Sequence, residues 1–359
     1  MRKLASIVTI SSVTPIEDSD HLSVAQMDGK GWRVVVGRDE FKVGDRAVYF
    51  EIDSALPSND PRYQFLHARC LKRWMRGDTC VMSVVRIKTI KLRGVLSQGF
   101  LMHITEFPEA DGLEVGDDLT EALHVQHIDD VSRPFIKTVS IDASTKSGFP
   151  SFIPKTDEER IQNLVDYFTD PSMRKRVFEV TEKNDGSSMT VFFANKIRPD
   201  DPFGVCSRNF EKKLDGDGSF AKFVKDANLQ EMISKYCIEN DVELAFQGEL
   251  VGPGINQNRD LYPNYEWHVF RIWDITHQQF IEPAKRREIC NKIGLTHVPV
   301  IAEEMKVFEK FTNVDDLLLF AEGKTARGNE REGLVFKECS AEPITFKAVS
   351  NKYLLKSKE

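Results

Sequence analysis

Short apolar runs separated by turn residues recur through the first 125 residues of the chain. The runs WRVVVG, KVGDRAVYFEID and CVMSVVRIKTIKL are rich in β-branched and aromatic residues, and few helical patterns interrupt them. Many short strands at close spacing are typical of a small β-barrel or sandwich. This feature therefore predicts an all-β domain at residues 1–125.

The length of the chain favours a second domain. Its 359 residues exceed what one hydrophobic core usually supports. Residues 126–150 lose hydrophobic periodicity and gain Ser, Thr, Gly and Pro, which indicates a linker. We therefore predict an OB-type barrel at 1–125, which has the size of that fold, a linker at 126–150 and a second domain at 151–359.

The second domain mixes helical and strand patterns. Thr156 is followed three residues later by Glu159, and this capping box precedes an apolar stripe that predicts a helix at 155–168. Further helices are predicted at 219–237, 283–293 and 313–322, and strands at 177–193, 203–208, 243–251, 266–275, 332–337 and 343–348. The absence of a regular βαβ alternation indicates an α+β fold with antiparallel sheets.

Charge and composition restrict the class of protein. The net charge of −7 argues against binding nucleic acid by bulk electrostatics alone, but the segment RIKTIKLRG supplies a local basic surface. Its basic residues are Arg86, Lys88, Lys91 and Arg93. The alternative is a charged strand edge that opposes aggregation. No apolar run approaches a membrane span and the six cysteines form no C-x-x-C, so we expect an intracellular protein with reduced thiols.

The stretch VFEVTEKNDGSSMTVFF (177–193) places Lys183 and Asp185 at a turn between two strand-like runs. By itself it favours a plain hairpin. Four other segments of the second domain also put charged residues at strand edges: CSRNF, FQGELVGPG, EGLVFK and ITFKAVSNKY. In this order and spacing, the five segments resemble the motif set of the covalent nucleotidyltransferases, the superfamily of ATP-dependent DNA and RNA ligases and RNA capping enzymes.

The resemblance points to one group of enzymes within this superfamily. Only twelve residues follow Lys347, which leaves no room for the carboxy-terminal OB domain of DNA ligases and capping enzymes. The segments KVGDRAVYFEIDSALP and RIKTIKLRGVLSQGF are instead similar to the OB module that one group of ATP-dependent RNA ligases places first. The resemblance implies an ATP-grasp-like adenylation domain after the barrel. It also implies a monomeric RNA repair enzyme, without a membrane partner, that seals 3′-OH/5′-phosphate nicks in duplex RNA or RNA-containing duplexes.

The chemistry of such an enzyme explains the residue types. A neutral lysine amine can attack the α-phosphorus of ATP, expel pyrophosphate and hold AMP as a phosphoramidate. An ordinary lysine, with a pKa near 10.4, is only about 0.04% neutral at pH 7, and Asp185 alone would raise the pKa of Lys183 further. We therefore expect a Mg²⁺ or Mn²⁺ ion whose water shell is held by Asp185, Glu249 and Glu332.

The resemblance implies roles for the remaining motif residues. They are Glu182 at the adenine edge, Phe270 on the adenine face, Arg208 and Asn209 at the ribose or the 3′-OH end, and Lys337 and Lys347 on the α-phosphate. Related ligases often have K-x-K in the last motif, whereas this chain has Thr345-Phe346-Lys347. The role of the first lysine is then lost, or is taken by Lys352 or Lys356.

Other interpretations remain open at this point. Phe270 is also explained as a core residue, Glu249 and Glu332 as strand-edge carboxylates, and Arg208 as a surface arginine. The alternative functions are an ATP-dependent DNA ligase, a GTP-using capping-type transferase, and an inactive RNA-binding protein whose OB module does the binding. The intact set of attacking lysine and carboxylates weighs against the inactive protein.

Overall fold

The computed structural model describes residues 2–76, 78–128, 130–131, 144–216, 218–340 and 342–356. The chain divides into two compact units. The first is built from 1–140 together with 162–165, and the second from 141–161 and 166–357. The centre of the predicted linker, residues 132–143, lies outside the described residues.

Short antiparallel strands make up most of the first unit. They are β1 (Ala5–Pro15), β2 (Leu22–Met27), β3 (Arg33–Gly37), β4 (Arg46–Phe50), β5 (Ser54–Pro57), β6 (Leu71–Arg76), β7 (Thr79–Arg86), β8 (Ile90–Leu92), β9 (Val95–Ser97), β10 (Phe100–His103) and β11 (Gln126–His127). Helix α1 (His67–Cys70) precedes β6. The sheet orders are β10-β4-β1-β2-β3, β11-β5-β7-β6 and β8-β9.

The first half of β1 and most of β4 are buried on both faces. Ile7 packs with Phe50 in one buried cluster, whereas its neighbour Val8 packs with Tyr49 and Trp32 in another. Successive side chains of a strand point to opposite faces, so the β1–β4 pair contributes to two cores.

Two mostly antiparallel sheets and several helices form the second unit. Its strands are β12 (Thr145–Gly148), β13 (Glu159–Arg160), β14 (Phe178–Lys183), β15 (Ser187–Phe193), β16 (Phe203–Ser207), β17 (Phe210–Lys212), β18 (Leu244–Val251), β19 (Glu266–Asp274), β20 (Gln279–Phe280), β21 (Val300–Met305), β22 (Gly333–Glu338) and β23 (Thr345–Val349). Its helices are α2 (Ser219–Asp226), α3 (Leu229–Glu239), α4 (Pro283–Ile293), α5 (Val307–Lys310), α6 (Val314–Ala321) and α7 (Asn351–Lys356). The sheet orders are β12-β17-β16-β15-β18-β19-β20 and β13-β23-β22-β14-β21.

The plain hairpin that the stretch 177–193 favours by itself is wrong. Strand β14 pairs with β21 and β22, whereas β15 pairs with β16 and β18 of the other sheet. The turn Asn184-Asp185-Gly186 therefore carries the chain from one sheet to the other. A Cβ atom at Gly186 would lie 2.4 Å from the carbonyl oxygen of Leu250, so only glycine fits where the turn passes β18.

The helix predicted at 155–168 is also wrong. Residues Glu159–Arg160 instead form β13, which pairs in parallel with β23, and 3₁₀ turns follow at Ile161–Asn163 and Val165–Phe168. The apolar stripe is nevertheless partly buried, since Ile161 is fully buried and Phe168 nearly so. Pairing with β23 outweighs the local capping signal, because helix propensity is a weak preference that tertiary context overrides.

The other predicted elements are closer to the structure. The helices at 283–293 and 313–322 are confirmed as α4, which ends at Gly294, and α6, which Asn313 caps. The helix predicted at 219–237 is two helices, broken at Asn228 with φ of 50°. Residues Thr145–Gly148, predicted as linker, pair with β17. Across the described ranges, none of the helices has the length and hydropathy needed to cross a bilayer.

Candidate active site

The second unit contains a cavity of about 320 Å³ whose walls come from both of its sheets. This volume lies within the range of small-molecule sites, about 300–1,000 Å³. Seven of the predicted site residues line the cavity: Glu182, Lys183, Arg208, Glu249, Phe270, Lys337 and Lys347. The other three, Asp185, Asn209 and Glu332, are not among its lining residues. Glu332 nevertheless accepts a hydrogen bond from Lys183, and Asp185 is two positions after Lys183 in the chain.

Lys183 is the last residue of β14, where it pairs in register with Gly333 of β22. Its Nζ donates a hydrogen bond to Oε1 of Glu332 at 2.5 Å. Burial alone would lower the pKa of Lys183, but the carboxylates of Glu332, Glu249 and Asp185 outweigh it and hold the pKa above its usual value. With these neighbours alone, Lys183 is an ammonium group rather than a nucleophile.

Glu249 lies on β18 and fixes the turn after Lys183. Its Oε1 accepts a hydrogen bond from the backbone N–H of Gly186 at 3.1 Å. Burial raises the pKa of Glu249 to about 8 despite the nearby lysine, and burial also raises the pKa of Glu332. Within the described ranges, no three Asp, Glu, His or Cys side chains come close enough together to ligate a metal ion directly.

Asp185 is held by three side chains that the sequence did not single out. The hydroxyl of Tyr353 on α7 donates to Oδ2 of Asp185, and Nδ2 of Asn256 donates to Oδ1 at 3.0 Å. Nε of Arg259 lies 3.8 Å from Oδ2, and its guanidinium lies over the Tyr353 ring, 4.6 Å from the centroid. The carboxylate is therefore fixed by the carboxy-terminal helix and by the loop after β18.

Phe270 reaches the cavity because of a β-bulge. Gln247 pairs with Arg271 and Gly248 with Val269, so Phe270 is the extra residue on β19. A bulge of this kind redirects a side chain out of the regular alternation. The carbonyl oxygen of Phe270 accepts a hydrogen bond from Nη1 of Arg286 at 2.9 Å, which stabilises the bulged backbone.

Lys337 is almost completely buried on β22. Its Nζ donates to Oγ1 of Thr181 at 3.3 Å and lies 5.8 Å from the centroid of the Phe270 ring. Burial, reinforced by the positive charge of Arg286, lowers the pKa of Lys337 to about 7. An anion that entered the cavity would therefore meet a group ready to take up a proton.

Asp157 lies between two basic residues of the cavity. Its carboxylate is 3.2 Å from Nζ of Lys347 and 3.7 Å from Nη2 of Arg208. Burial lowers the pKa of Lys347, and Asp157 opposes that effect. Thr156 and Glu158 line the same wall. The sequence predicted a helix for this segment, so its contribution to the cavity was missed.

The remaining predicted residues are placed as follows. Glu182 is buried, and burial raises its pKa. Oδ1 of Asn209 accepts a hydrogen bond from Nζ of Lys155 at 3.0 Å. The two suggested substitutes for the lysine missing at Thr345 point elsewhere, since Lys352 pairs with Glu322 and Lys356 with Glu330. Neither of these lysines is among the cavity-lining residues.

Comparisons with known proteins identify the family of this chain. A family model described as an OB-fold domain matches residues 4–104, and one described as RNA ligase matches residues 176–357. A solved structure of a Naegleria gruberi RNA ligase variant with AMP and Mn is 32% identical, with a TM-score of 0.82 and 99% of both chains covered. A variant with ATP and Mn is 34% identical, with a TM-score of 0.82 over 100% of both chains.

The same Naegleria gruberi RNA ligase with PPi is 33% identical to this chain, with a TM-score of 0.80, and the match covers 99% of this chain and 98% of the other. Among curated proteins, none matches the chain. The fold and the lysine-lined cavity define a nucleotidyltransferase-type ligase with an α+β architecture. The chain belongs to the RNA ligase family, and the prediction of an ATP-dependent RNA ligase with an amino-terminal OB domain is confirmed.

Proposed function

We propose that this enzyme seals 3′-OH/5′-phosphate nicks in duplex RNA or RNA-containing duplexes, through a lysyl-AMP formed on Lys183, and that it serves RNA repair. The observation that carries the proposal is the position of Lys183 at a cavity wall that also holds Lys337, Lys347 and Phe270. The ATP-, AMP- and PPi-containing structures of the Naegleria gruberi ligase support a nucleotide in this cavity. One chain supplies every proposed group, so the proposed reaction needs no second copy of the chain.

The first step forms a bond between Nζ of Lys183 and the α-phosphorus of ATP. The bond from that phosphorus to the bridging oxygen of the β-phosphate breaks, and pyrophosphate leaves. The amine must first lose a proton, and Glu332 is placed to take it because its Oε1 already accepts a hydrogen bond from Nζ at 2.5 Å. The raised pKa of Glu332 makes its carboxylate a better base than an exposed one.

A Mg²⁺ or Mn²⁺ ion fits the donor set around the lysine. Asp185, Glu249 and Glu332 supply carboxylate oxygens, which hard cations prefer, and the raised pKa of Glu249 reflects a buried carboxyl without enough compensating positive charge. Because these groups do not form a direct three-ligand cluster in the described part of the chain, we propose that they hold the ion through its water shell. When bound, the ion disfavours the ammonium form of Lys183 and offsets phosphate charge.

The nucleotide is placed by the other cavity residues in this proposal. Phe270 stacks on the adenine face and Glu182 contacts the adenine edge. Lys337 and Lys347 contact the α-phosphate and offset the charge that develops as pyrophosphate leaves. Arg208 and Asn209 serve the ribose or the 3′-OH end, which requires Asp157 to give up its ion pairs with Arg208 and Lys347.

Two further steps complete the reaction. An oxygen of the 5′-phosphate attacks the lysyl-AMP phosphorus, so the N–P bond breaks and a 5′–5′ pyrophosphate linkage forms. The 3′-OH then attacks the 5′-phosphate, a phosphodiester forms and AMP leaves. The first of these steps frees the amine of Lys183, which takes its proton back from Glu332 and so regenerates the starting enzyme. In the second step the 3′-OH loses its proton to solvent, and neither step needs an additional protein nucleophile.

Covalent labelling tests the proposal. The protein is incubated with ATP labelled at the α-phosphate, with and without Mg²⁺ or Mn²⁺, and label on the denatured protein is measured. The proposal predicts label from ATP in preference to the other three nucleotides, and sealing of a nick that carries ribose on the 3′-OH side. Preferred labelling by GTP would instead support capping-type chemistry, and equal sealing of an all-DNA nick would contradict the RNA assignment.

A further inference from the structure

Positive charge is concentrated in one stretch of the first unit. Residues 61–99 contain nine lysines and arginines but only one aspartate and no glutamate, a formal charge of +8. Because the whole chain carries −7, the rest of the molecule carries −15. A basic segment in an otherwise acidic protein is an electrostatic footprint for a polyanion.

Arg62 and Arg86 take part in ion pairs within the protein. Arg62 forms ion pairs with Asp60 and Glu109, and Arg86 lies 3.5 Å from Asp53. The exposed basic surface is wider than the one that the segment RIKTIKLRG predicts. Its exposed members include Arg69, Lys72 and Arg73, on α1 and β6, in addition to Lys91 and Arg93.

Strand β6 is the outer strand of its sheet. In the order β11-β5-β7-β6 it pairs only with β7 among the described strands, and the two form a hairpin. A bulge between Trp74 and Met75 increases the twist at the hairpin end. The edge therefore presents basic side chains from a paired strand rather than from a loop.

Aromatic and apolar groups accompany the charges. Trp74 is half-buried against the cluster of Ala55 and Val84, and Nζ of Lys72 lies 5.3 Å from the Trp74 ring centroid. Met75 and Val81 are 48% and 45% exposed. If the lysines and arginines served only to block edge-to-edge pairing, exposed apolar groups beside them would work against that purpose. Positive charge combined with an aromatic ring is the usual composition of nucleic-acid surfaces.

We infer that α1 and the β6–β7 hairpin form a docking surface for the phosphate backbone of the RNA duplex beside the nick. This inference rests on the proposed function for the identity of the RNA. Arg69, Lys72 and Arg73 contact phosphates, and the Trp74 edge packs on a sugar or base. The acidic remainder of the protein repels RNA and so directs it to this surface.

The experiment compares two neutralised variants of the full-length protein. One carries Arg69→Gln, Lys72→Gln and Arg73→Gln. The matched control carries Lys42→Gln, Lys222→Gln and Lys225→Gln, which removes the same charge from exposed positions outside the basic stretch. Binding of fluorescent nicked duplex RNA is measured by anisotropy over a series of salt concentrations, without ATP.

The hairpin variant should bind at least about tenfold more weakly than the control, and its salt slope should fall by roughly 2–3 units, since each lost phosphate contact removes about 0.9. Both variants should label with AMP like the parent protein, which tests the proposed chemistry separately. Equal affinity and slope for the two variants would overturn the docking surface, even if labelling is normal. Loss of labelling in the parent protein would instead refute the proposed function.

The variant Trp74→Leu separates the contact of the aromatic ring from the effect of charge. Leucine keeps apolar contact with the buried cluster but removes the ring. We expect weaker RNA binding with an unchanged salt slope and an unchanged melting temperature. RNA affinity equal to that of the parent protein would overturn the assigned contact of Trp74.

Discussion

Lys183 and Glu332 are 149 positions apart in the chain, yet their side chains form a 2.5 Å hydrogen bond. They meet because Lys183 ends β14 and pairs with Gly333, the first residue of β22. The register of one strand pair thus places a proton acceptor against the proposed nucleophile. The same contact keeps the lysine charged until other charges enter the site.

Substitution of Glu332 tests this relationship. Glu332→Gln keeps the shape but removes the proton acceptor and one proposed oxygen for the cation, so lysine adenylation should fall by about 10²-fold or more. Adenylation is measured as a function of Mg²⁺ concentration. Glu330→Gln, which removes a nearby surface carboxylate that pairs with Lys324, is the control and should label normally.

Two other carboxylates extend the same test. Asp185→Ala and Glu249→Ala should each lower adenylation and change the divalent-metal requirement. If these two variants and Glu332→Gln all labelled normally at limiting Mg²⁺, the metal site would have to be placed elsewhere.

Tyr353 should act on the reaction through Asp185. Tyr353→Phe removes the hydroxyl that donates to Oδ2 of Asp185, so the Mn²⁺ concentration for half-maximal adenylation should rise by about tenfold. Direct Mn²⁺ binding, measured by electron paramagnetic resonance without ATP, should weaken in parallel. Tyr262→Phe is the control, because Tyr262 packs against His268 and Arg327 instead. An unchanged metal dependence would show that Tyr353 only anchors α7.

The sequence predicts some residues of this site but not the strand pairing that brings them together. Lys183, Glu249 and Phe270 lie in strands with strong β patterns, so both their elements and their motifs can be recognised before the fold is known. The crossing from one sheet to the other at Asn184-Asp185-Gly186 cannot be recognised, because a turn signal does not specify which strands pair. Its local sequence is that of a hairpin.

Other features depend on contacts distant in sequence. Asp157 was assigned to a helix because its neighbours form a capping box, yet pairing of β13 with β23 decides the local structure. Tyr353 lies 168 positions from Asp185, and nothing in its sequence neighbourhood indicates that contact. The bulge that exposes Phe270 depends on the register between β18 and β19.

The lowered pKa of Lys337 predicts how stability depends on pH. The pKa of Lys337 is about 7 in the folded protein, compared with 10.5 for an ordinary lysine. Between these two pH values the unfolded chain binds more protons than the folded protein, so the free energy of unfolding rises with pH. The positive charges of Arg286 and Arg271 lower the pKa of Lys337. The negative charges of Glu158 and Glu179 raise it, but burial and the arginines outweigh them. Lys337→Met should therefore stabilise the protein near pH 6, on the order of 2–4 kcal/mol.

Urea unfolding at several pH values measures this effect. The difference between Lys337→Met and the parent protein should shrink as the pH rises from 7 towards 10, whereas the exposed control Lys222→Met should differ little at any pH. The stabilised variant should also adenylate poorly, because it lacks a phosphate contact. If the stability difference between Lys337→Met and the parent protein did not change with pH, Lys337 would not gain a charge in the folded protein at low pH.

The basic segment at residues 88–93, which includes β8, should add to RNA binding. Charge reversal at Lys88, Lys91 and Arg93 should weaken binding of a nicked duplex, and the loss should be milder at low salt. Arg86 is left unchanged in this variant, because its reversal would also break the contact with Asp53. Lysine adenylation should be retained. Binding equal to that of the parent protein would limit the RNA surface to the β6–β7 hairpin.

In this mechanism Lys183 is the group that carries AMP, and a pair of assays on Lys183→Ala tests that role. With ATP labelled at the α-phosphate, the variant should acquire no covalent label, while its melting temperature stays close to that of the parent protein. Offered a nick whose 5′ end is already adenylated, it should still seal, because that step needs no lysyl-AMP. Normal covalent labelling of Lys183→Ala would rule out Lys183 as the nucleophile and assign that role to another residue.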